Sequence, residues 1–237
     1  GGVYRPVGGV TQMSAILASP LKEVRTSTSI TQVTKREDGK IELKDSNGGV
    51  DVYDHIVLAT QANQALKLVG HLDPSYENLA KIKHTTTSVV IHTDSTVMGP
   101  EIDPRYSFHM LADRSQGQAM SSIWMNPTFP QLAMDVHQTT NPIVPLDPAK
   151  ILFEHTFERP VIDVAAAAAI RTLQQLNGTN NVWFCGSYSH YGMPLLENGA
   201  QSAFKVAEAL TGKSVALTRT RTTPSLLRRF ASITLIG

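Results

Sequence analysis

VWFCGSYSHYGMPLLENGAQSAFKVAEAL, residues 182–210, is the stretch whose reading decides the fold. It opens on an apolar run, Val182 to Cys185, passes Gly186 and crosses a polar loop. A helical pattern follows, with Ala200, Ala203, Phe204, Ala207 and Leu210 on one face and Gly212 closing it. A strand feeding a helix in this way is the building unit of an α/β sheet, whose ligands bind at the carboxyl ends of its strands. A glycine at such an end lets another group approach the backbone where a Cβ would block it. Asn198 reads as the helix N-cap, and Gln201, three residues on, as its capping-box partner. The first free amides then fall at Gly199 and Ala200, at the positive end of the helix dipole, where an anionic or electron-rich group is favoured. An ordinary strand–loop–helix turn that binds nothing fits the same pattern.

Working outward, Ile162, Ala165, Ala169, Leu173 and Leu176 predict an amphipathic helix with Pro160 at its start and Asn177-Gly178 at its end. Further upstream, STSITQVTKRE (27–37), KIELKD (40–45) and VDVYDHIVLAT (50–60) are β-rich runs separated by Asp38-Gly39 and Asn47-Gly48-Gly49. The first two alternate like half-buried strands. The third ends in Ile56-Val57-Leu58-Ala59, which suits a strand buried on both faces of a parallel sheet. Ala62, Ala65, Leu66 and Val69 continue as a helix, and a second short helix starts near Pro74. A short helix is also expected over Thr11–Leu17. TTTSVVIHTD (85–94) and QAMSSIWMN (118–126) read as strands, and the rest up to residue 150 has little periodicity.

Composition sets the outer limits. The chain has 237 residues, 41% hydrophobic, with a formal charge of +1, which describes a soluble globular protein and does not suggest a nucleic-acid binder or a disordered chain. No apolar run reaches the roughly 18 residues of a membrane span. The single cysteine fits a reducing, cytoplasmic setting; Cys185 itself reads as a small core residue. Eight histidines without paired spacing predict no metal site. Asn177-Gly178-Thr179 matches a glycosylation sequon and is discounted for want of a secretory signal. Beyond Ser214 the tail carries Arg219, Arg221, Arg228 and Arg229 and no acid, and it is expected to be poorly ordered.

With these residues in view, VWFCGSYSHYG…ENGAQSA resembles the C-terminal flavin-contacting segment of FAD-dependent amine-oxidase-like flavoproteins. More narrowly, it is similar to predicted NAD/FAD-binding proteins that read W-F-C-G-A-Y-x-x-Y-G and then Glu-Asp-Gly. YRPVGGVTQMSAIL (4–17) resembles the family's Gly-Gly segment, YDHIVLATQANQAL (53–66) its D-x-V-V-L-A-T strand and helix, and VVIHTDSTVM (89–98) its H-T-D strand. IWMNPTFPQL (123–132) resembles its Trp/Tyr-x-Met-Asn segment, and FEHTFERPVID (153–163) stands where the family has a His-Pro phrase. The resemblance runs in order over residues 4–212.

It implies an α/β (α+β) fold: a partial FAD/NAD(P)-binding Rossmann-like domain with a β-meander, plus a mixed β-sheet substrate-type domain. The first domain would take residues 1–75 and 160–213, the second 76–159, and the tail 214–237. FAD is the implied cofactor and a small molecule the substrate. By resemblance the Val33 backbone would meet the adenine edge and Thr60 the pyrophosphate or ribityl chain. Gly186 and Ser187 would lie along the pyrophosphate and ribityl, and Gly199 and Ala200 would donate to the flavin ring, with Glu197 and Asn198 fixing the helix start. Tyr188, His190 and Tyr191 are candidates for the substrate side; no catalytic residue is assigned.

Two departures stand out. The fingerprint G-x-G-x-x-G is absent, so the chain is expected to be the C-terminal portion of a longer protein with an incomplete FAD site. The loop Gly192–Gly199 is two residues longer than the family's Gly-Phe-His-Glu-Asp-Gly and lacks its aromatic and histidine side chains. The leading expectation is therefore an FAD-dependent oxidoreductase. A flavoprotein-derived binding or structural module without cofactor is the alternative. Membrane-surface contact through the arginine-bearing tail with Leu226, Leu227 and Phe230 ranks behind both.

Overall fold

A computed structural model of the chain describes residues 8–98, 107–190, 192–214 and 235–236. The chain divides into two compact units, one drawn from Gly1–Lys83 and Pro160–Gly237, the other from His84–Arg159.

The first unit opens with α1 (Gly9–Ala18), none of whose residues is buried. Then comes the antiparallel meander β1 (Ile30–Lys35), β2 (Ile41–Asp45) and β3 (Val50–Tyr53). Its turns follow from local chemistry. Gly39 adopts φ 81° beside Asp38, whose carboxylate accepts the Lys40 amide. The Asp45 carboxylate accepts the amides of Asn47 and Gly49, each at 2.8 Å, and so closes the second turn. Val33, Ile41 and Leu43 alternate inward.

The third β-run of the sequence is two strands, broken at Asp54-His55. After the break, β4 (Ile56–Leu58) joins a parallel sheet, and all three of its residues are buried. There it lies between β10 (Val182–Phe184) and β11 (Leu235–Ile236), both parallel to it. Of the tail, Leu235 and Ile236 pair with Val57 and Leu58; the expectation that the tail is poorly ordered or mispacked falls on residues 215–234, which lie outside the described residues.

α2 (Ala62–Val69) buries Ala62, Ala65 and Val69. A 3-10 segment, Pro74–Lys81, follows with Asp73 capping the Ser75 amide and Pro74 in the first turn. Tyr76 and Leu79 of this segment are fully buried in the first unit's core, which is why the unit ends at Lys83 and not at residue 75.

α3 (Val164–Leu176) starts later than the sequence suggests. Asp163 caps it through the Ala166 amide at 2.8 Å, while Pro160 ends the preceding strand. Its face of Ala166, Ala169, Ile170 and Leu173 packs into the same core as Tyr76 and Phe184. The fully buried side chains of Ile170 and Leu173 each contribute about 1.5–3 kcal/mol. Gly178 ends the turn at φ 91°, where a Cβ would come within 2.8 Å of the Trp183 ring. Asn177, the sequon asparagine, is committed to β10: its Oδ1 accepts the Phe184 amide and its Nδ2 donates to the Phe184 carbonyl. The last helix among the unit's described residues is α4 (Leu196–Thr211), closed by Gly212 at φ 66°.

The second unit is one sheet, ordered β6-β7-β8-β5-β9, built from β5 (His84–His92), β6 (Phe108–Asp113), β7 (Gln118–Trp124), β8 (His137–Thr140) and β9 (Ile151–Pro160). Through its middle runs a buried polar chain. The Asp94 amide donates to His92 Nδ1, so His92 carries its proton on Nε2 and donates to Thr139 Oγ1 at 2.7 Å; Thr139 meets Ser122 Oγ at 2.8 Å. The ring of His137 stacks on His92 at 5.6 Å, and neither of its nitrogens has a hydrogen-bond partner among the described residues. Burial pushes both imidazoles below their ordinary pKa. Asp94 accepts the amides of Asp147 and Thr96, the Thr96 hydroxyl and Lys150 Nζ, and these hold its carboxyl far below the usual range.

Candidate functional site

The parallel register of β4 and β10 brings two chain segments to one edge. Phe184 lies opposite Leu58, and the Cys185 amide donates to the Leu58 carbonyl at 3.0 Å. Ala59-Thr60 and Cys185-Gly186 therefore leave the sheet side by side at its carboxyl end. Gly186 stands at φ 137°, ψ 169°, a conformation that L side chains rarely adopt. A Cβ there would sit 3.2 Å from the Tyr188 ring and 3.8 Å from the Thr60 carbonyl.

Ser202 of α4 holds this glycine. Its Oγ accepts the Gly186 amide at 2.9 Å and lies 3.1 Å and 2.7 Å from the carbonyls of Gly186 and Gly199. Ser189 adds its amide and hydroxyl to the Gly186 carbonyl, and Gln174 of α3 donates to the Ser189 carbonyl. Sequence reasoning passed over Ser202, Ser189 and Gln174. The available signal was Ser202 itself, a hydroxyl on the buried side of a helix whose other inward residues are apolar.

The start of α4 corrects the sequence reading. Leu195, not Asn198, is the N-cap residue, and it makes no side-chain cap. The Gly199 amide is bonded to the Leu195 carbonyl at 3.2 Å, so Gly199 is already inside the helix. The amides that helix geometry leaves without a carbonyl one turn earlier are those of Leu196 and Glu197, ahead of Gly199 and Ala200. Gln201 is no capping-box partner; its Nε2 donates to Glu197 Oε1 at 2.7 Å, an exposed pair one turn apart. Asn198 Nδ2 lies 3.4 Å from His190 Nδ1. A Cβ on Gly199 would lie 3.6 Å from the Ser187 amide nitrogen, an ordinary van der Waals contact, so packing alone does not demand glycine there.

The other predicted residues divide as follows. Thr60 and Ser187 are half-buried at this edge, Ser187 opening a short 3-10 turn. Val33 lies in the meander; its side chain is in the core, and its carbonyl accepts a hydrogen bond from His71 Nε2 at 2.9 Å. Tyr188 does not border an open face. It is buried in the core, its hydroxyl has no hydrogen-bond partner among the described residues, and burial, reinforced by Cys185, pushes its pKa up. Burial likewise pushes the Cys185 thiol up to about 11. Tyr191 lies outside the described residues. An open groove of about 570 Å³ in the second unit, lined by Thr86, Ser88, Gln118 and Asn141 among others, includes none of the predicted residues.

Among the described residues no group of His, Cys, Asp and Glu side chains is placed to hold a metal ion, and no helix is long and apolar enough to cross a membrane.

Comparison with known proteins gives the class. Residues 1–129, more than half of the chain, match the family described as flavin containing amine oxidoreductase. The protein belongs to that family. Among solved structures it is similar to the CLA-producing fatty acid isomerase from P. acnes, with 14% identity and a TM-score of 0.50 over 78% of this chain and 47% of the isomerase. A reduced UDP-galactopyranose mutase aligns with 10% identity and a TM-score of 0.45, over 73% of this chain and 45% of the mutase. The chain thus spans less than half the length of either structure. Comparison with curated proteins gave no match. The fold is a mixed α/β one with part of a Rossmann-like domain.

Proposed function

We propose that this chain is the carboxyl-side part of an FAD-dependent oxidoreductase of the amine-oxidase class acting on a small molecule. The observation that carries the reading is the edge at Gly186. A Cβ-free backbone with φ 137° there adjoins the Thr60 carbonyl, and α4 begins nearby without a side-chain cap. Such an edge fits an extended, electron-rich cofactor: ligands of α/β sheets bind at the carboxyl ends of strands, and the helix end favours negative charge. When bound, the flavin supplies the two-electron redox chemistry. Thr60, Gly186 and Ser187 would lie along its phosphate–ribityl portion. The first amides of α4, at Leu196 and Glu197, would stabilise negative charge on its ring side, with Gly199 and Ala200 behind them. Ser202 would keep the Gly186 strand-end in position. Val33 would approach the adenine through whatever its His71-bonded carbonyl leaves free, and His190 is the substrate-side candidate. These 237 residues contain no G-x-G-x-x-G, so the remainder of the nucleotide site lies elsewhere.

A second reading, a module of flavoprotein ancestry that takes no cofactor, is favoured by one observation. The amides of both Gly186 and Gly199 are already satisfied within the chain, by Ser202 and Leu195. One titration separates the two. FAD added to the protein is expected to lose fluorescence saturably and to raise the melting temperature. The Leu196→Pro variant is expected to bind more weakly while folding normally, because proline is well tolerated at a first helical position and removes only that amide. No saturable change with the wild-type protein overturns the cofactor reading for this chain. Equal binding by Leu196→Pro overturns the role of the helix end.

A further inference from the structure

β9 closes one side of the second unit's sheet, and all eight residues from Leu152 to Arg159 are exposed. Leu152, Phe153 and Phe157 keep 55%, 56% and 44% of their surface in water. On one face the rings of Phe153, His155 and Phe157 stand in file. The first pair stacks at 6.1 Å, and the second meets edge-on at 4.6 Å. An edge strand presents unpaired N–H and C=O groups to any strand that can align with it, and proteins usually blunt such edges with lysine, proline or a bulge. β9 contains no lysine, and no proline before its last residue.

We propose that β9 is the interface of a homodimer, in which the β9 strands of two copies pair antiparallel about a two-fold axis through His155. The strand's own sequence selects both the occupant and the register. Centring the pair on His155 sets Phe153 opposite Phe157 twice, Glu154 opposite Thr156 and Leu152 opposite Glu158. Directly opposite aromatic residues stabilise antiparallel pairs, and like charges directly opposite destabilise them. The neighbouring registers fail on the second count. Centring on Glu154 sets that carboxylate against itself, and centring on Thr156 sets Glu154 against Glu158 twice. A two-residue slip is the smallest that keeps side chains on their faces, so the strand's charges exclude both nearest alternatives. A closed two-fold pair also uses up the edge in each copy and stops at the dimer.

The test combines assembly state with register. Sedimentation velocity at rising protein concentration is expected to show a monomer–dimer equilibrium. Phe157→Lys, a change at an exposed position, is expected to raise the dissociation constant about tenfold or more, because both cross-strand aromatic pairs are lost, and to leave monomer unfolding unchanged. His155→Cys is expected to give a covalent dimer on mild oxidation, Cys185 being buried. Leu152→Cys is not, because the two Leu152 positions lie about 20 Å apart along the paired strands and a disulfide needs Cα atoms within about 7 Å. A protein that stays monomeric, one that forms open-ended polymers, undiminished dimerisation by Phe157→Lys, or equal cross-linking of the two cysteine variants overturns the proposal.

Discussion

The two units bury polarity in opposite places. In the first, the core from Val33 to Tyr188 is hydrocarbon and aromatic ring, and the two buried polar residues outside that set among the described residues, Ser189 and Ser202, both hold the Gly186 strand-end. In the second, Thr87, His92, Asp94, Ser122, His137 and Thr139 are buried within a single sheet. One unit places polar groups at its Gly186 edge; the other runs them through its middle. A polar group is retained where a backbone must be held in an unusual shape, whereas a polar core makes a unit's stability depend on protonation.

Three experiments put this contrast at risk. The largest effect is expected from Tyr76→Ala, which removes a fully buried ring lying edge-on to Phe184 at 5.2 Å and a hydrogen bond to the Thr179 carbonyl. Chemical denaturation should show a loss of about 3–5 kcal/mol. A loss comparable to that of a surface substitution would mean that the first unit does not depend on this core.

Ser202→Ala should cost about 1–3 kcal/mol, the penalty for leaving a buried backbone group without its partner. If Ser202 serves only the Gly186 conformation, adding Gly186→Ala to it should destabilise less than the separate effects sum to. Strict additivity would show that the two residues act independently.

The smallest effect at neutral pH is expected from the histidines, since both rings are neutral there. Burial lowers their pKa in the folded state, so the unfolded chain binds protons first as the pH falls. Stability should be constant above the ordinary value of 6.5, decline below it, and level off once the pH has passed the folded-state values. The titratable groups acting on the pair are Asp94, Asp135 and His109. A pH series of melting curves that His137→Leu leaves as steep as the wild type would remove the stacked pair from this account.

The same contrast explains what the sequence made legible. In the first unit, burial follows apolar residues, so Ile56–Leu58, the face of α3 and the run into Gly186 can all be read from hydrophobic spacing. β8 is invisible to that method because its inward residues are His137 and Thr139, and β9 because no residue from Leu152 to Arg159 is buried. At the candidate site, the position of Gly186 and its approach to a helix were legible, while the helix start was not. Asn198 and Gln201 carry the spacing of a capping box, yet the chain enters α4 through extended Leu195, and Gln201 bonds to Glu197 instead. Side-chain preference identified a good cap; the backbone at Leu195 had already begun the turn.

Cys185 has a use that its chemistry makes almost free of interference. It is the chain's one sulfhydryl, 4% exposed at the end of β10, with its amide bonded into β4 and its ionisation shifted to about 11. A thiol so protected, packed with Val57 and with Val206 of α4, reacts with a labelling reagent only after that cluster opens. The labelling rate of the unmodified protein is therefore a clock for spontaneous opening at the very edge where Gly186 sits, read without introducing a probe.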